Sequence, residues 1–353
     1  MTRRERVIQA LNHKTTDIIP YNVDLTHQER QKLIEYTGDV SFTSKIDNHI
    51  DSYYYSGFLE GVDHELSGKP GYFKDDFGVI WNRNGADKDI GVIESQVINE
   101  PELNTFHQPE IDFNQLKEGF ERLVNNGRDT FKIGSIGFSM YERAWTLRGM
   151  ENFLTDMMLE PEFADYLLDA ICDFNMKIID IGLSYNIDGF YFGDDWGQQA
   201  GLIMGPKLWR RFIKPRMARM YEKVKSKGKF VLQHSCGDIH EIYSDLIEIG
   251  LDVHQTFQPE IYDIKAIKKE FGDRLSFWGG ISTQRLLPFA TPEEVKVKTI
   301  EIMKVIGENG GYIAAPTHSV PSDVPAENIL ALLEVFQNQE KYLGNTSKPS
   351  NAL

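Results

Sequence analysis

Short apolar runs alternate with longer amphipathic segments over the second half of the chain. From Phe131 onward this pattern predicts six strands, each followed by helical sequence. The predicted strands are Phe131–Ile136, Gly189–Phe192, Phe230–His234, Asp252–Gln255, Leu275–Trp278 and Tyr312–Ala315. The predicted helices are Met150–Leu159, Pro161–Tyr185, Gly205–Lys227, Ile239–Glu248, Ile264–Glu270, Pro292–Asn309 and Pro325–Tyr342. Repeated strand–helix units predict an α/β fold with a parallel sheet.

A (β/α)₈ TIM barrel fits this alternation best, because no GxGxxG or Walker pattern follows any predicted strand. The length of 353 residues is ordinary for such a barrel. Helices are predicted at Arg3–Leu11 and Thr26–Tyr36, and a first strand at Asp17–Val23 despite Pro20 inside it. We therefore expect one barrel domain over residues 1–345 and a polar, disordered tail at 346–353.

The N-terminal half carries an irregular stretch, rich in aromatic residues and glycine, at residues 41–105. Strand-like alternation at Phe77–Trp81 and Ile90–Ile98 predicts a hairpin within it. We interpret the stretch as an insertion that caps the mouth of the barrel, and a plain surface excursion is the alternative. Its aromatic side chains are candidates to wall a substrate: Tyr53, Tyr54, Tyr55, Phe73, Phe77 and Trp81.

Composition narrows the function further. Apolar residues make up 41% of the chain, enough for a full core, and the net charge of −15 disfavours nucleic-acid binding. Two cysteines give no disulfide framework, which is typical of a reducing cytoplasm. The charged N-terminus is unlike a signal peptide, and no apolar run is long enough to cross a membrane. We expect a cytoplasmic protein.

The sequence KFVLQHSCG carries the sharpest chemical signal. Side chains two apart on a strand point the same way, so His234 and Cys236 are expected to face a common point. One imidazole nitrogen and one sulfur suit Zn²⁺. The alternative is a cysteine packed as a small apolar residue beside a structural histidine.

Other polar residues follow the predicted strands, where barrel enzymes keep their active sites. His318, after the strand YIAA, is the candidate third metal ligand, with a plain loop histidine as the alternative. Two histidines and one cysteine with an open fourth position form a catalytic rather than a structural zinc pattern. We predict catalytic roles for Glu142, Asp194 and Asp195, and substrate contacts for Arg143, Trp196 and Gln284.

For several of these residues more than one role is open. Glu142 could be a fourth metal ligand or handle a proton. Asp194 and Asp195 could bind substrate, orient a ligand histidine or cap the following turn. Arg143 and Arg148 could hold a substrate carboxylate, or could be solvated at the flank of a helix.

Four segments of the chain resemble the uroporphyrinogen decarboxylase superfamily, and most of all its branch of corrinoid-dependent zinc methyltransferases. They are GFYFGDDWGQQAGLIMGPKLWRRFIKP, HSCGDIHEIYSDLIEIGLDVHQTFQPE, FWGGISTQRLLPFATPEEV and GGYIAAPTHSVPSDVPAENILALLE. The resemblance covers Phe131–Phe336 and, more faintly, RVIQALNHKTTDIIP. It implies a (β/α)₈ barrel, with zinc held by a His-x-Cys pair and a later cysteine. Here His318 stands where that cysteine would fall.

The resemblance also implies alternative activities. The decarboxylases hold their porphyrinogen with an arginine-containing segment near the N-terminus, and the matching YNVDLTHQERQK lacks it. We therefore expect a zinc methyltransferase component that passes a methyl group from an O-methyl, methoxylated aromatic-like substrate to the Co(I) corrinoid of a separate partner protein. A more positive site with two histidines suits an oxygen donor, whereas a sulfur-rich site suits thiol activation.

Three other functions stay open. They are a metal-free decarboxylase of the uroporphyrinogen type, transfer from a methylcorrinoid to a thiol or folate, and a non-catalytic binding barrel. Relatives of this fold also suggest a homodimer.

Overall fold

The computed structural model describes residues 1–55, 64–66, 68–85, 91–104 and 106–344. Its strands are β1 (Ile50–Tyr54), β2 (His64–Glu65), β3 (Tyr72–Lys74), β4 (Ile80–Asn82), β5 (Val92–Ser95), β6 (Phe131–Ile136), β7 (Gly189–Gly193), β8 (Gly197–Gln198), β9 (Gly201–Leu202), β10 (Phe230–His234), β11 (Val253–Phe257), β12 (Ser276–Ile281) and β13 (Tyr312–Pro316). All six strands predicted after residue 130 are confirmed, with ends that differ by at most three residues.

The helices are α1 (Arg3–Leu11), α2 (His27–Thr37), α3 (Phe42–Lys45), α4 (Phe113–Val124), α5 (Tyr141–Arg148), α6 (Met150–Leu159), α7 (Pro161–Gly182), α8 (Gly205–Leu208), α9 (Lys214–Lys225), α10 (Tyr243–Glu248), α11 (Ile264–Phe271), α12 (Leu286–Phe289), α13 (Pro292–Ile306), α14 (Ala326–Gln337) and α15 (Gln339–Leu343). The helix predicted over Gly205–Lys227 is interrupted by a π-helical turn at Trp209–Ile213. Pro215 follows this turn and lacks the N–H that a continuous α-helix would need.

The chain forms two compact units. The terminal unit contains Met1–Asp51, Arg128–Lys132 and the residues from Asp252 onward, and the central unit contains Ser52–Gly127 and Ile133–Leu251. Among the described residues, seven strands are assigned to the main sheet: β1, β6, β7, β10, β11, β12 and β13. The predicted α/β class with a parallel sheet is confirmed, and the single domain over residues 1–345 stays a prediction.

Parallel pairing organises the sheet inside each unit. In the central unit β7 pairs with β6 on one side and with β10 on the other. In the terminal unit β12 pairs in parallel with β11 and β13. Every residue of β6, β7, β11, β12 and β13 is buried, as expected for parallel strands covered on both faces.

The predicted first strand, Asp17–Val23, is wrong. Two isolated parallel bridges replace it, from Tyr21 to Ala314 and from Leu25 to Val320. Pro20 has no N–H to donate, and the Asn48 side chain takes both the N–H and the carbonyl of Val23. A ladder therefore cannot extend through this segment.

The described strands of the aromatic stretch at 41–105 belong to two different sheets. Its β1 belongs to the main sheet, whereas β2, β3, β4 and β5 form a separate antiparallel sheet. The antiparallel strands β4 and β5 overlap the two segments with predicted strand alternation, Phe77–Trp81 and Ile90–Ile98. Residues 56–63, 67, 86–90 and 105, and the tail at 346–353, lie outside the described residues, and the capping role stays a prediction.

Across the residues that the structure describes, no helix combines the length and the apolar character that crossing a bilayer requires.

Candidate metal centre

His234 and Cys236 lie at the carboxyl end of β10. The parallel register places His234 beside Gly193, and the carbonyl of His234 accepts the N–H of Asp194 at 3.1 Å. Both side chains are half-buried. His234 Nε2 and Cys236 Sγ lie 3.7 Å apart, so the predicted convergence of the two donors is confirmed.

The loops after β7 and β10 are locked together by close backbone contacts. A Cβ atom on Gly197 would lie 2.6 Å from the carbonyl oxygen of Cys236. Gly237 has a φ of +74°, and a Cβ there would lie 2.3 Å from the backbone of Gly197. The N–H of Asp238 also donates to the carbonyl of Gln198 at 2.8 Å. The glycines in GDDWG and HSCG are therefore needed because the two backbones touch.

Asp195 connects this loop pair to the two donor side chains. Its Oδ1 accepts the N–H of Cys236 at 2.7 Å and lies 3.3 Å from His234 Nε2. Burial lowers the pKa of His234, but the charge of Cys236 and the hydrogen bond to Asp195 outweigh burial. The net pKa of His234 lies well above its ordinary 6.5, so the imidazole holds a proton readily when no metal is bound.

Asp194, the neighbouring carboxylate, is fully buried and serves the backbone instead. Its oxygens accept the N–H groups of Met140, Tyr141 and Glu142 at 3.2, 2.9 and 2.8 Å, and the Trp196 indole also donates to it. These amides form the first turn of α5, where a carboxylate is favoured. Burial raises the pKa of Asp194 to about 6, against the hydrogen bonds that lower it.

Glu142 is brought to the same place by the helix that Asp194 caps. Burial raises the pKa of Glu142 well above its ordinary 4.5, and the charges of Asp195 and Asp194 add to the effect. Glu142 therefore keeps its proton to a higher pH than an exposed glutamate does. The central unit thus gathers five of the nine predicted site residues in one place: Glu142, Asp194, Asp195, His234 and Cys236.

Arg143 and Trp196 lie in the interior of the central unit. Arg143 is buried, donates to Asp75 Oδ2 at 2.8 Å and stacks its guanidinium over the Phe77 ring at 4.0 Å. Trp196 is 0% exposed, with its indole N–H on Asp194. Arg148 pairs in the same way with Asp156 at 2.8 Å. The predicted substrate contacts of Arg143 and Trp196 stay predictions.

A pocket opens at the carboxyl end of β6, beside Arg143. It is small, with room for about one water molecule, and it opens partly to solvent. Aromatic, aliphatic and polar residues line its wall: Tyr55, Phe77, Phe138, Phe174, Ile136, Gly137, Ile178, Asp76, Asn175 and Arg143. Tyr55 and Phe77 are two of the six aromatic residues that the sequence singled out.

The terminal unit carries the remaining two predicted residues. His318 is exposed and lies two positions after the end of β13. Gln284 is also exposed and lies three positions after the end of β12. The hydroxyls of Thr317 and Thr283 lie 3.0 Å apart and join the two loops.

Sequence reasoning missed two supporting residues. Ser235 Oγ accepts the N–H of Trp196 at 2.9 Å, and Asp75 neutralises Arg143. Ser235 stands between His234 and Cys236, and alternation continued beyond the strand would already have set it apart from them. Asp75 lies in KDDF, where no periodicity distinguishes it from the neighbouring Asp76.

The profile of the family described as "Uroporphyrinogen decarboxylase (URO-D)" matches residues 87–339. The chain belongs to this family. Uroporphyrinogen decarboxylases from two Coxiella burnetii strains, Dugway 5J108-111 and RSA 493 / Nine Mile phase I, are each 23% identical over 272 residues, which is 72% of this chain and 73% of theirs.

A solved structure described as a methyltransferase from Methanosarcina mazei is also similar to this chain. It aligns with a TM-score of 0.73 and 16% identity, over 96% of this chain and 99% of that one. The likeness shows a common fold. Membership of the superfamily, expected from the motifs, is confirmed, and at least one methyltransferase shares the fold.

Proposed function

We propose that this chain is the methyltransferase component of a corrinoid-dependent system, with a zinc ion held by His234, Cys236 and His318. The observation that carries the proposal is the 3.7 Å between His234 Nε2 and Cys236 Sγ. With Zn–N near 2.0–2.1 Å and Zn–S near 2.3 Å, two ligands on a tetrahedral zinc lie about 3.5 Å apart. The two donors therefore fit one ion with little movement.

The donor set also suits zinc chemically. His234, Cys236 and His318 offer two imidazole nitrogens and one sulfur. Three protein ligands leave a fourth position for a substrate oxygen, and one thiolate leaves the centre a net charge of about +1. When bound, zinc would supply Lewis acidity toward an ether or alcohol oxygen.

The neighbouring residues support such a site. The Asp195 carboxylate accepts the N–H of Cys236 and lies 3.3 Å from His234 Nε2, the nitrogen proposed to bind zinc, so it places a negative charge beside the site. Asp194 holds the first turn of α5 and thereby fixes the position of Glu142.

Glu142 has the properties of a proton donor. Methyl transfer to Co(I) breaks the bond between the methyl carbon and the donor oxygen, and the electron pair stays on that oxygen. A carboxylic acid that keeps its proton at raised pH can donate it there. We therefore assign Glu142 the role of general acid.

We further propose that the substrate is a methoxylated aromatic compound. The recess after β6 presents flat rings from Tyr55, Phe77 and Phe138, and it would have to widen to admit an aromatic ring, because it has room for about one water molecule. Gln284 is proposed as a further polar contact, whereas the burial of Trp196 favours a supporting role for it.

The proposal also includes partner proteins. The corrinoid would arrive on a separate protein that docks at the strand ends, beneath a cap formed by residues 41–105. We further propose that two copies of this chain form a homodimer and that it works in the cytoplasm.

A metal-free decarboxylase is the second candidate, because the Coxiella relatives bear that name. Against it stand YNVDLTHQERQK, which lacks the arginines expected for a porphyrinogen, and a His–Cys pair that a metal-free enzyme does not need.

Metal content by mass spectrometry tests the site first, on wild-type protein and on Cys236→Ala and His318→Ala. About one zinc per chain in the wild type, lost in both variants, would support the three ligands. Cys172→Ala is the matched control, because that thiol is buried and contacts the carbonyl of Arg216 at 3.8 Å. Zinc that survives both ligand changes would exclude the site.

The activity is then tested with methoxylated aromatics and a Co(I) corrinoid protein, beside a porphyrinogen turnover assay. Methylcobamide formation that needs Cys236 supports the proposal. Methylation of a thiol or folate from a methylcorrinoid would reverse the direction of transfer, and porphyrinogen turnover would favour the decarboxylase.

A further inference from the structure

Helix α2 presents a polar stripe to the segment that follows β13. Gln28, Lys32 and Tyr36 are spaced four residues apart and therefore lie on one face of the helix. Ser322 Oγ donates to Gln28 Oε1 at 3.2 Å, and Tyr36 OH donates to Glu327 Oε1 at 3.0 Å. The stripe thus follows the chain from the loop after β13 into α14.

Lys32 is the centre of this stripe. Its ammonium donates to the carbonyls of Ser322, at 2.9 Å, and Val324. The Glu29 carboxylate, which is 0% exposed, lies 2.6 Å from Lys32 Nζ. Two of its three N–H donors therefore serve the two carbonyls, and Glu29 forms an ion pair with the same ammonium group.

The same segment is fixed on the other side by backbone contacts. Val320 donates its N–H to the Asp24 carbonyl at 2.8 Å and accepts the N–H of Thr26 at 3.1 Å. Thr317, directly before His318, is bonded to Thr283 through its hydroxyl. The exposed His318 therefore depends on a segment that is tied down at both ends.

We propose that Lys32 is a positioning residue for His318. It fixes the two carbonyls that follow Pro321, and so limits where the segment can place the imidazole. This inference rests on the proposed function, in which His318 is a metal ligand. Loss of groups that support metal ligands typically weakens metal binding 10- to 100-fold. We expect the lower end of that range, because Lys32 acts through the backbone.

The test measures zinc affinity by chelator competition, with the absorption spectrum of the Co(II)-substituted protein as a second readout. Lys32→Met is expected to bind zinc about tenfold more weakly and to change the Co(II) spectrum. Lys32→Arg, which can still donate to both carbonyls, is expected to restore most of the affinity.

A matched control and a second variant separate positioning from folding. Tyr36→Phe removes the outermost link of the same stripe, at α14, and is expected to leave zinc affinity unchanged. Lys32→Met alone leaves the Glu29 charge buried without a partner and can prevent folding. The double variant Glu29→Gln/Lys32→Met removes that charge, and we expect it to fold and to show the same tenfold loss.

Zinc affinity that is unchanged in the folded double variant would overturn the inference and leave the proposed function intact. An effect of Tyr36→Phe equal to that of Lys32→Met would also overturn it, because a general loss of helix packing would then explain both. A wild type that binds no zinc, or a His318→Ala variant that binds it normally, would overturn the inference together with the proposed ligand set.

Discussion

The two segments that carry the proposed ligands are held in place by different means. The His234–Cys236 segment in the central unit is fixed by parallel strand register and by glycine backbones that touch. The segment after β13 in the terminal unit is fixed by side chains of α2, close to 290 residues away in the chain, and by backbone hydrogen bonds between Val320 and the stretch before α2. Contacts between neighbouring strand–loop units, 41 residues apart for Asp195 and Cys236, therefore secure the first segment, and contacts across 290 residues secure the second.

This difference shows where each segment is vulnerable. Most side-chain changes near β10 leave the backbone contacts intact, and Asp194 is the exception because one buried carboxylate serves a whole helix start. Among the contacts described above, no single buried carboxylate accepts several backbone N–H groups of the segment after β13. That segment depends on N-terminal residues such as Asp24 and Lys32.

Asp194→Ala is expected to have the largest effect. Three backbone N–H groups and an indole N–H would lose their acceptor in a buried position, at a cost of about 3–5 kcal/mol in the free energy of unfolding. Asp112→Ala is the control, because Asp112 also caps a helix, α4, but is exposed. We expect about 1 kcal/mol there, measured by denaturant unfolding. Equal losses in the two variants would contradict the special role of Asp194.

Acid is expected to weaken the terminal unit through His49. This side chain is 1% exposed and stacks on Tyr21, whose segment pairs with β13. Burial, with the charge of Arg6 adding to it, lowers the pKa of His49 from 6.5 to about 4. The resulting stability is present above pH 6.5 and is lost as the pH falls through 4, up to about 3 kcal/mol.

The raised pKa of Asp194 gives the opposite pH dependence. Its contribution to the free energy of unfolding is present at low pH and is lost as the pH rises through about 6. Denaturant unfolding of wild type and His49→Gln at pH 7 and pH 4.5 measures the histidine effect. We expect the variant to lose less stability on acidification than the wild type. Equal losses in the two proteins would remove His49 from the explanation.

The comparison also explains what could be predicted from the sequence. The strands after residue 130 and the convergence of His234 with Cys236 follow from local periodicity, and both are confirmed. The distinction between Asp194 and Asp195 does not, because it depends on which carboxylate meets the first turn of α5. The strand predicted at Asp17–Val23 failed because a side chain, Asn48, competes for its backbone.

The residues that position the segment carrying His318 could not be predicted from the sequence either. Nothing in THQERQK distinguishes Lys32 from an ordinary solvated lysine until the fold brings Ser322 and Val324 to it. Residues on a continuous stretch are predictable from spacing, whereas contacts between distant stretches need the fold.

Asp195→Asn tests whether a side chain, and not only the backbone, supports metal binding by the His234–Cys236 segment. The substitution keeps an acceptor for the N–H of Cys236 but removes the charge beside His234. We expect zinc affinity to fall about tenfold, because the negative charge beside the bound cation is lost. Asp238→Asn, in the adjoining loop after β10, is the control because Asp238 accepts the N–H of His240, and it should bind zinc normally when both are measured by chelator competition. Normal binding in Asp195→Asn would mean that the backbone alone positions the pair.

Ser235→Ala is expected to have the smallest effect, and it tests the claim that backbone contacts dominate near β10. The change removes the acceptor of the Trp196 N–H in a buried position, at a cost of about 1–2 kcal/mol in the free energy of unfolding. Ser226→Ala is the control, because its exposed hydroxyl only donates to the carbonyl of Lys223. If backbone contacts hold the His234–Cys236 segment, zinc affinity should stay unchanged in Ser235→Ala although stability falls. A parallel loss of zinc affinity would show that this segment, like the one after β13, depends on side chains for its position.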